Sequence, residues 1–338
     1  MILSLRGRKK INLSSVGAPF ERFIFMSKQN CITDGYKSQV AKFLKKCAEK
    51  RSMNKYVIDW LTERQELEYA YAVEDCATYV GFVDIAGHAK VASANFCRRR
   101  LCNICVWRRQ SKFVAQTFPV IQALRDSGYR FIFATASLPN VPLERLSATI
   151  DQMLLAYDLL LKRRKVKRSW EGKIRALEVT YNRERNDFHP HIHMLVAVRP
   201  EYFTNSSLYI TLDEFRNMWT ECLREEFHSI LDCKLQAVTD DGAEVVETVK
   251  YSFKGTKDSN AIEGYFRALK GRRLISFSGV IAKQRRFFKM TDFENILTDD
   301  FERPKDSPLT YQLYKFDATG GVYTFWKEYE LNGEQSEI

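Results

Sequence analysis

Three of the chain's five histidines stand in one run, His189-Pro190-His191-Ile192-His193. On a β-strand, side chains two apart share a face, so His191 and His193 project together while Ile192 turns away. Paired imidazoles make poor core residues, because each needs a polar partner once buried. They make good ligands for a divalent cation. His189 would share the face, but Pro190 interrupts the start of the strand. The competing reading is a surface strand with three incidental histidines.

A third ligand is expected from the strand before. If Asn182 to Asp187 turns a hairpin, residues whose numbers sum to about 370 lie opposite one another. Glu178 then falls across from His191 or His193. Two imidazoles and a carboxylate leave positions open for water and a substrate oxygen, as a catalytic ion requires. An exposed strand carboxylate is the plainer alternative for Glu178.

Further on, Glu247-Thr248-Val249-Lys250-Tyr251-Ser252-Phe253-Lys254 has helical spacing. Val246, Val249 and Phe253 form an apolar stripe, and Glu247, Tyr251 and Lys254 share a different face. A phenol between a carboxylate and an ammonium can act as a nucleophile, given a cation or base to help it ionise. A solvated surface helix fits the same spacing.

A separate cluster is built on sulfur: Cys97-x4-Cys102-x2-Cys105 lies among Arg98, Arg99, Arg100, Arg108 and Arg109, with Cys76 upstream. In a chain expected to stay in the cytoplasm, such spacing favours a structural zinc over disulfides. Buried free thiols are the alternative. Cys31, Cys47, Cys222 and Cys233 stand apart and are expected only to pack.

The elements that must position these groups follow from periodicity. Helices are predicted over Tyr36–Lys50, Lys55–Tyr71 and Val106–Arg125, with short strands between Cys76 and Cys105. Strands are predicted over Tyr129–Ser137, Lys173–Tyr181, His189–Val198 and Cys233–Val238. Helices over Leu143–Lys162 and Leu212–Phe227 lie between them, and one over Gly242–Lys254 follows. Strand, helix, strand, strand, helix, strand is the split-βαβ, ferredoxin-like order of an α+β fold, an antiparallel sheet with helices on one face.

Four regions are expected: a loose arm over 1–35, in which Met26 offers a second start; a helical, cysteine-rich DNA-binding region over 36–125; a catalytic domain over 126–290; and a C-terminal extension over 291–338. The 338 residues are 45% hydrophobic and 28% charged, as in an ordinary globular chain. No run reaches the ~18 apolar residues of a membrane span. No apolar stretch and cleavage site follow the basic first ten residues, so no secretory signal is expected. A net charge of +11, concentrated in the arginine block and in Lys162, Arg163, Arg164, Lys165, Lys167 and Arg168, favours a nucleic-acid partner. A solvated helix face would have the same composition.

Taken in order, these pieces resemble the rolling-circle replication initiators of small bacterial plasmids, the single-tyrosine group of the HUH endonuclease superfamily. Phe131-Ile132-Phe133-Ala134-Thr135-Ala136-Ser137 resembles the family's first motif, departing from it at Ala134 and Ser137. Arg175 to Thr180 resembles its conserved strand, His189 to Val198 its metal motif, and Glu247 to Lys254 its tyrosine motif. Arg273 to Gly279 resembles a downstream segment. The likeness spans roughly residues 70–285.

The resemblance implies an HUH-type catalytic domain in which Tyr251 attacks a phosphodiester at a plasmid origin. A 5′-phosphotyrosine link and a free 3′-hydroxyl would result. It implies Mg²⁺ or Mn²⁺ on His191, His193 and Glu178, with Glu247 activating water for the terminating cleavage or a second tyrosine in its place. Lys254 and Lys250 would contact phosphate. Cys76 as fourth zinc ligand draws partly on the resemblance, and the neighbouring arginines with Trp107 would grip origin DNA. A host helicase and DNA polymerase are implied as partners, and a dimer on DNA stays open. The rivals are another HUH nuclease (a transposase or a relaxase) and a zinc-stabilised DNA-binding regulator without catalysis. Relaxases usually place the tyrosine before the histidine motif, whereas Tyr251 follows it.

Overall fold

A computed structural model describes residues 32–85, 87–223, 232–238, 248, 255–290 and 309–331. Most of the expected N-terminal arm, Cys31 included, lies outside them. Ile32–Glu63 (α1) is one continuous helix, followed by Leu67–Asp75 (α2). The break expected near residues 51–54 falls instead after Glu63. No Gly or Pro interrupts residues 50–55, whereas Gln65 takes a left-handed φ of 61° that a helix cannot continue through. Val40, Leu44, Cys47, Val57 and Leu61 bury one face of α1.

A hairpin of Tyr79–Ile85 (β1) and His88–Ala94 (β2) leads into the long helix Asn103–Asp126 (α3). The central part then runs Arg130–Ser137 (β3), Leu143–Leu160 (α4), Arg164–Ser169 (α5), Gly172–Asn182 (β4), Asp187–Val198 (β5), Leu212–Leu223 (α6) and Cys233–Ala237 (β6). Ser259–Leu269 (α7), Ile275–Ser278 (β7) and Gly279–Met290 (α8) follow. Its strands form an antiparallel sheet in the order β6-β3-β5-β4-β7. The fold is α+β, as the element order predicts.

The β4–β5 hairpin sets the register that matters most. Its turn is closed by Asn186 in the left-handed region, φ 53°, and by the Asn182 side chain accepting from the Arg185 amide at 3.0 Å. The strands pair from Asn182 opposite Asp187 down to Gly172 opposite Ala197, partners whose numbers sum to 369. A slip of one residue would turn every side chain to the other face.

Helices cover both faces of this sheet, not one. Ile132, Ala134, Ala136, Ile192, Met194 and Val196 share the main core with Leu146, Ile150, Phe215 and Trp219 of α4 and α6. Phe131, Ile174, Ala176, Leu195 and Ala197 on the opposite face pack on Val120, Ile121 and Leu124 of α3 and Ile281 of α8. The cause is legible in β5, whose last five residues, Met194 to Val198, are an unbroken apolar run. Such a run must be buried on both sides.

The segment expected as a C-terminal extension contributes Leu309–Asp317 (β8) and Val322–Leu331 (β9). These join the N-terminal hairpin in a second antiparallel sheet, order β2-β1-β8-β9. Among the described residues no helix is long and apolar enough to cross a membrane.

Candidate functional site

The register of the central sheet brings three donor groups to one place. β5 lies between β3 and β4, so Thr135 faces His193 across one ladder, and Glu178 faces His191 across the other. All four side chains fall on the face that α3 and α8 cover further down the strands. The Glu178 carboxylate is 2% exposed, and each imidazole 8%. Glu178 Oε2 lies 3.1 Å from His193 Nε2 and 3.5 Å from His191 Nε2.

The far side of each ring is also held. His191 Nδ1 sits 3.2 Å from the His189 carbonyl, an acceptor only, so Nδ1 carries the hydrogen and a neutral ring leaves its Nε2 lone pair towards Glu178. His193 Nδ1 lies 3.1 Å from Thr135 Oγ1, and its ring stacks on Phe133 at 5.5 Å. Second partners of this kind fix ring orientation at metal sites. Two buried imidazole lone pairs and a carboxylate converging on one spot repel each other unless a cation or protons sit among them. The donor atoms lie within 4.8 Å of one another, and the set of two His and one carboxylate suits Mg²⁺, Mn²⁺ or a similar ion. His189 stays outside this group: it stacks on His191 at 5.2 Å, and burial, with the imidazole of His191 beside it, pushes its own imidazole below the ordinary range.

A second donor group is the sulfur cluster. Cys76, Cys97, Cys102 and Cys105 also place their sulfurs within 4.8 Å of one another. Cys105 Sγ is 3.6 Å from Cys76 Sγ and 3.7 Å from Cys97 Sγ. A disulfide would need about 2.05 Å, whereas tetrahedral Zn–S bonds of about 2.3 Å set sulfurs about 3.8 Å apart. The residue after each of the first two cysteines is left-handed, Ala77 at φ 56° and Arg98 at φ 58°. That conformation costs a non-glycine residue about 1–2 kcal/mol; the Ala77 amide donates to the Asn95 carbonyl at 3.1 Å, whereas two other amides turn to sulfur. The Arg98 amide donates to Cys105 Sγ at 3.2 Å and the Cys97 amide to Cys76 Sγ at 3.5 Å. Buried Asn54 donates to Cys102 Sγ at 3.4 Å. Hydrogen bonds from Cys105, Cys76 and Cys97 hold the Cys102 thiol well below its ordinary range. Cys47, Cys222 and Cys233 are buried, free thiols.

The arginine block is divided by the fold. Arg100 is tied inward, its guanidinium donating to the Arg272 carbonyl at 2.7 Å and to that of Leu269. Arg108 lies over the Phe96 ring at 3.6 Å. Arg99 pairs with Glu68 at 2.6 Å, Arg109 donates to the Arg98 carbonyl at 3.0 Å, and the Arg98 side chain is exposed. Glu247, Lys250, Tyr251 and Lys254 lie outside the described residues. Of their predicted helix only Thr248 is described, helical and fully buried. Thr135 and Asn54 were the positions that sequence reasoning left without a role. The pairing of β3 with β5 could have pointed to Thr135, but nothing along the chain marks Asn54, which reaches Cys102 from 48 residues away.

Comparison with known proteins yields one family and several relatives. The replication protein family (Rep_1) matches residues 88–321. A "Protein rep" of Streptococcus pneumoniae serotype 2 is 30% identical over 233 residues, 66% of this chain and 73% of the relative. A "Protein rep" of Staphylococcus aureus is 31% identical over 215 residues, covering 62% of this chain and 93% of its own. One from Lactiplantibacillus plantarum is 27% identical over 285 residues, 77% of this chain and 89% of its own. No solved protein structure matches the chain.

Proposed function

The chain belongs to the replication protein (Rep_1) family, and from that membership we propose that it initiates rolling-circle replication of a plasmid by nicking one strand at the origin. The observation that carries this reading is the buried Glu178–His191–His193 group, set across adjacent strands of a protein from a replication family. Tyr251 is the nucleophile. Its hydroxyl gives up its proton as the oxygen attacks the scissile phosphorus, the bond from phosphorus to the 3′ oxygen breaks, and that oxygen takes up a proton. The products are a 5′-phosphotyrosine link and a 3′-hydroxyl that a polymerase can extend. Mg²⁺ or Mn²⁺ held by Glu178, His191 and His193 would neutralise the charge that builds on the phosphate.

Lys254 and Lys250 contact the phosphate, and Glu247 activates water for the terminating cleavage. Thr135 and the His189 carbonyl keep the two imidazoles turned towards Glu178. A zinc ion on Cys76, Cys97, Cys102 and Cys105 is structural, and Arg98, Arg99 and Arg109 at its rim meet origin DNA. The host helicase and polymerase engage the nicked product.

The test mixes the protein with supercoiled plasmid carrying its own origin and Mn²⁺, then denatures with detergent. Nicked DNA bearing protein on its 5′ end is expected, and no adduct from Tyr251→Phe. An adduct from Tyr251→Phe would remove Tyr251 from its role. No nicking by the parent would leave a DNA-binding regulator as the better reading.

A further inference from the structure

The second sheet has one face in the core; its other face buries Val83 at the centre of β1 and leaves Tyr79, Trp326 and Tyr329 exposed around it. Val80, Phe82 and Tyr314 point into the packing with α1. Side chains alternate along a strand and directly paired residues share a face, so Tyr79, Tyr311 and Lys315 belong to the outer side, as do their partners Tyr329 on β9 and Thr324. The ladder of β8 and β9 shifts between Leu313 and Tyr314, which leaves Trp326 without a direct partner and throws its indole onto this face. The ammonium groups of Lys327 and Lys315 sit 4.8 and 5.6 Å from the centre of its ring.

Aromatic rings line this face. Gly81 lies beneath the Tyr311 ring, where any Cβ would collide with it. The Tyr311 hydroxyl is anchored to Ser93, and its ring lies 6.0 Å from that of Tyr329. Trp326 is 50% exposed, and Tyr79 and Tyr329 40% each. Two acidic groups of the hairpin are engaged elsewhere: Glu328 accepts from Gln312 at 2.6 Å, and Asp317 caps the turn by accepting from the Thr319 amide at 2.9 Å.

We propose that the outer face of the sheet β2-β1-β8-β9 is a platform for single-stranded DNA, on which unpaired bases stack against Trp326, Tyr329 and Tyr79 while Lys315 and Lys327 meet the phosphates. Exposed rings beside ammonium groups fit a polyanion with free π-faces. Protein interfaces also favour aromatic rings but are depleted in lysine, whereas here two ammonium groups sit beside Trp326; duplex DNA offers no base faces for stacking. On the proposed function a nicked origin yields single strands to hold, and this face lies outside both the His–Glu group and the sulfur cluster.

The experiment measures binding of a fluorescent 15-nucleotide oligo-dT and of a 15-base-pair duplex by anisotropy. The full chain carries Tyr251→Phe, so that strand cleavage plays no part. Trp326→Ala is expected to raise the Kd for oligo-dT roughly 5- to 100-fold and Trp326→Phe much less. Lys315→Gln with Lys327→Gln is expected to flatten the salt dependence by about 1.4 in log–log slope. Trp326 is half exposed, so these variants should melt with the parent, and the lysine pair tests the platform without touching a ring. Unchanged oligo-dT binding in Trp326→Ala and in the lysine pair overturns the platform. So does an equal loss on duplex, and so does a fall in sedimenting mass that would assign the face to self-association. A chain that nicks its origin yet shows any of these results loses the platform and keeps its enzymatic reading.

Discussion

At the scale of single residues, the Glu178 carboxylate has two imidazole nitrogens as neighbours, at 3.1 and 3.5 Å. It is the only anionic member of that group. Glu178→Gln keeps the shape but removes the charge that offsets a bound cation. It is expected to weaken Mn²⁺ binding at least about 10-fold, measured by calorimetric titration. An unchanged affinity would mean that the ion, if bound, sits elsewhere. His191 and His193 were readable from the strand period and Glu178 from the turn, because local spacing specifies them. Thr135 and Asn54 were not, since a polar residue in an apolar stretch acquires a role only from what folding sets beside it.

At the scale of elements, the contact of α7 with the β4–β5 hairpin depends on a missing side chain. Gly264 lies in α7 where a Cβ would strike the ring of Phe188, which is fully buried and packs on Tyr181 at 5.0 Å. Alanine normally favours a helix over glycine by about 1 kcal/mol, but forcing a methyl against a fixed ring costs about 1–3 kcal/mol. Gly264→Ala is therefore expected to lower the unfolding midpoint. Gly35→Ala in α1, where nothing lies within 4 Å, should raise or leave it. The two midpoints, compared by calorimetry, decide whether contact or propensity rules at Gly264. Most strands and helices of the central part were legible from periodicity. The break predicted between Lys50 and Lys55 is absent, and Asn54, polar in the sequence, turns inward to Cys102 within a continuous helix. The second helical layer on the sheet was missed for another reason: a helix pattern states which face is apolar, not which sheet it meets.

At the scale of the whole molecule, the sulfur cluster stands where distant parts of the chain converge. Arg51 of α1 donates to the Cys76 carbonyl and lies 4.5 Å over the Phe316 ring of β8. The Tyr323 hydroxyl of β9 donates to the Ala77 carbonyl at 2.5 Å. Removing an ion from Cys76, Cys97, Cys102 and Cys105 should loosen the C-terminal hairpin as well as its immediate loop. One equivalent of zinc is expected in the native protein. Chelation or Cys102→Ser should lower the melting midpoint and expose residues 309–331 to protease. A zinc-free native protein, with Cys102→Ser melting like the parent, would return the cluster to four packed thiols.

The α+β class, the hairpin register, the Glu178–His191–His193 group and the Cys97, Cys102 and Cys105 run were legible along the chain, because each rests on short-range spacing that a strand or turn imposes, whereas Cys76 drew partly on the family resemblance. Long-range packing alone sets α3 and α8 on the second face, completes the N-terminal sheet with the C-terminal hairpin, and turns Arg100 inward and Trp326 out. The second of these joins strands more than two hundred residues apart in the chain, as the hydrogen bond from the Tyr323 hydroxyl to the Ala77 carbonyl does. Side-chain periodicity along a chain says nothing about that pairing.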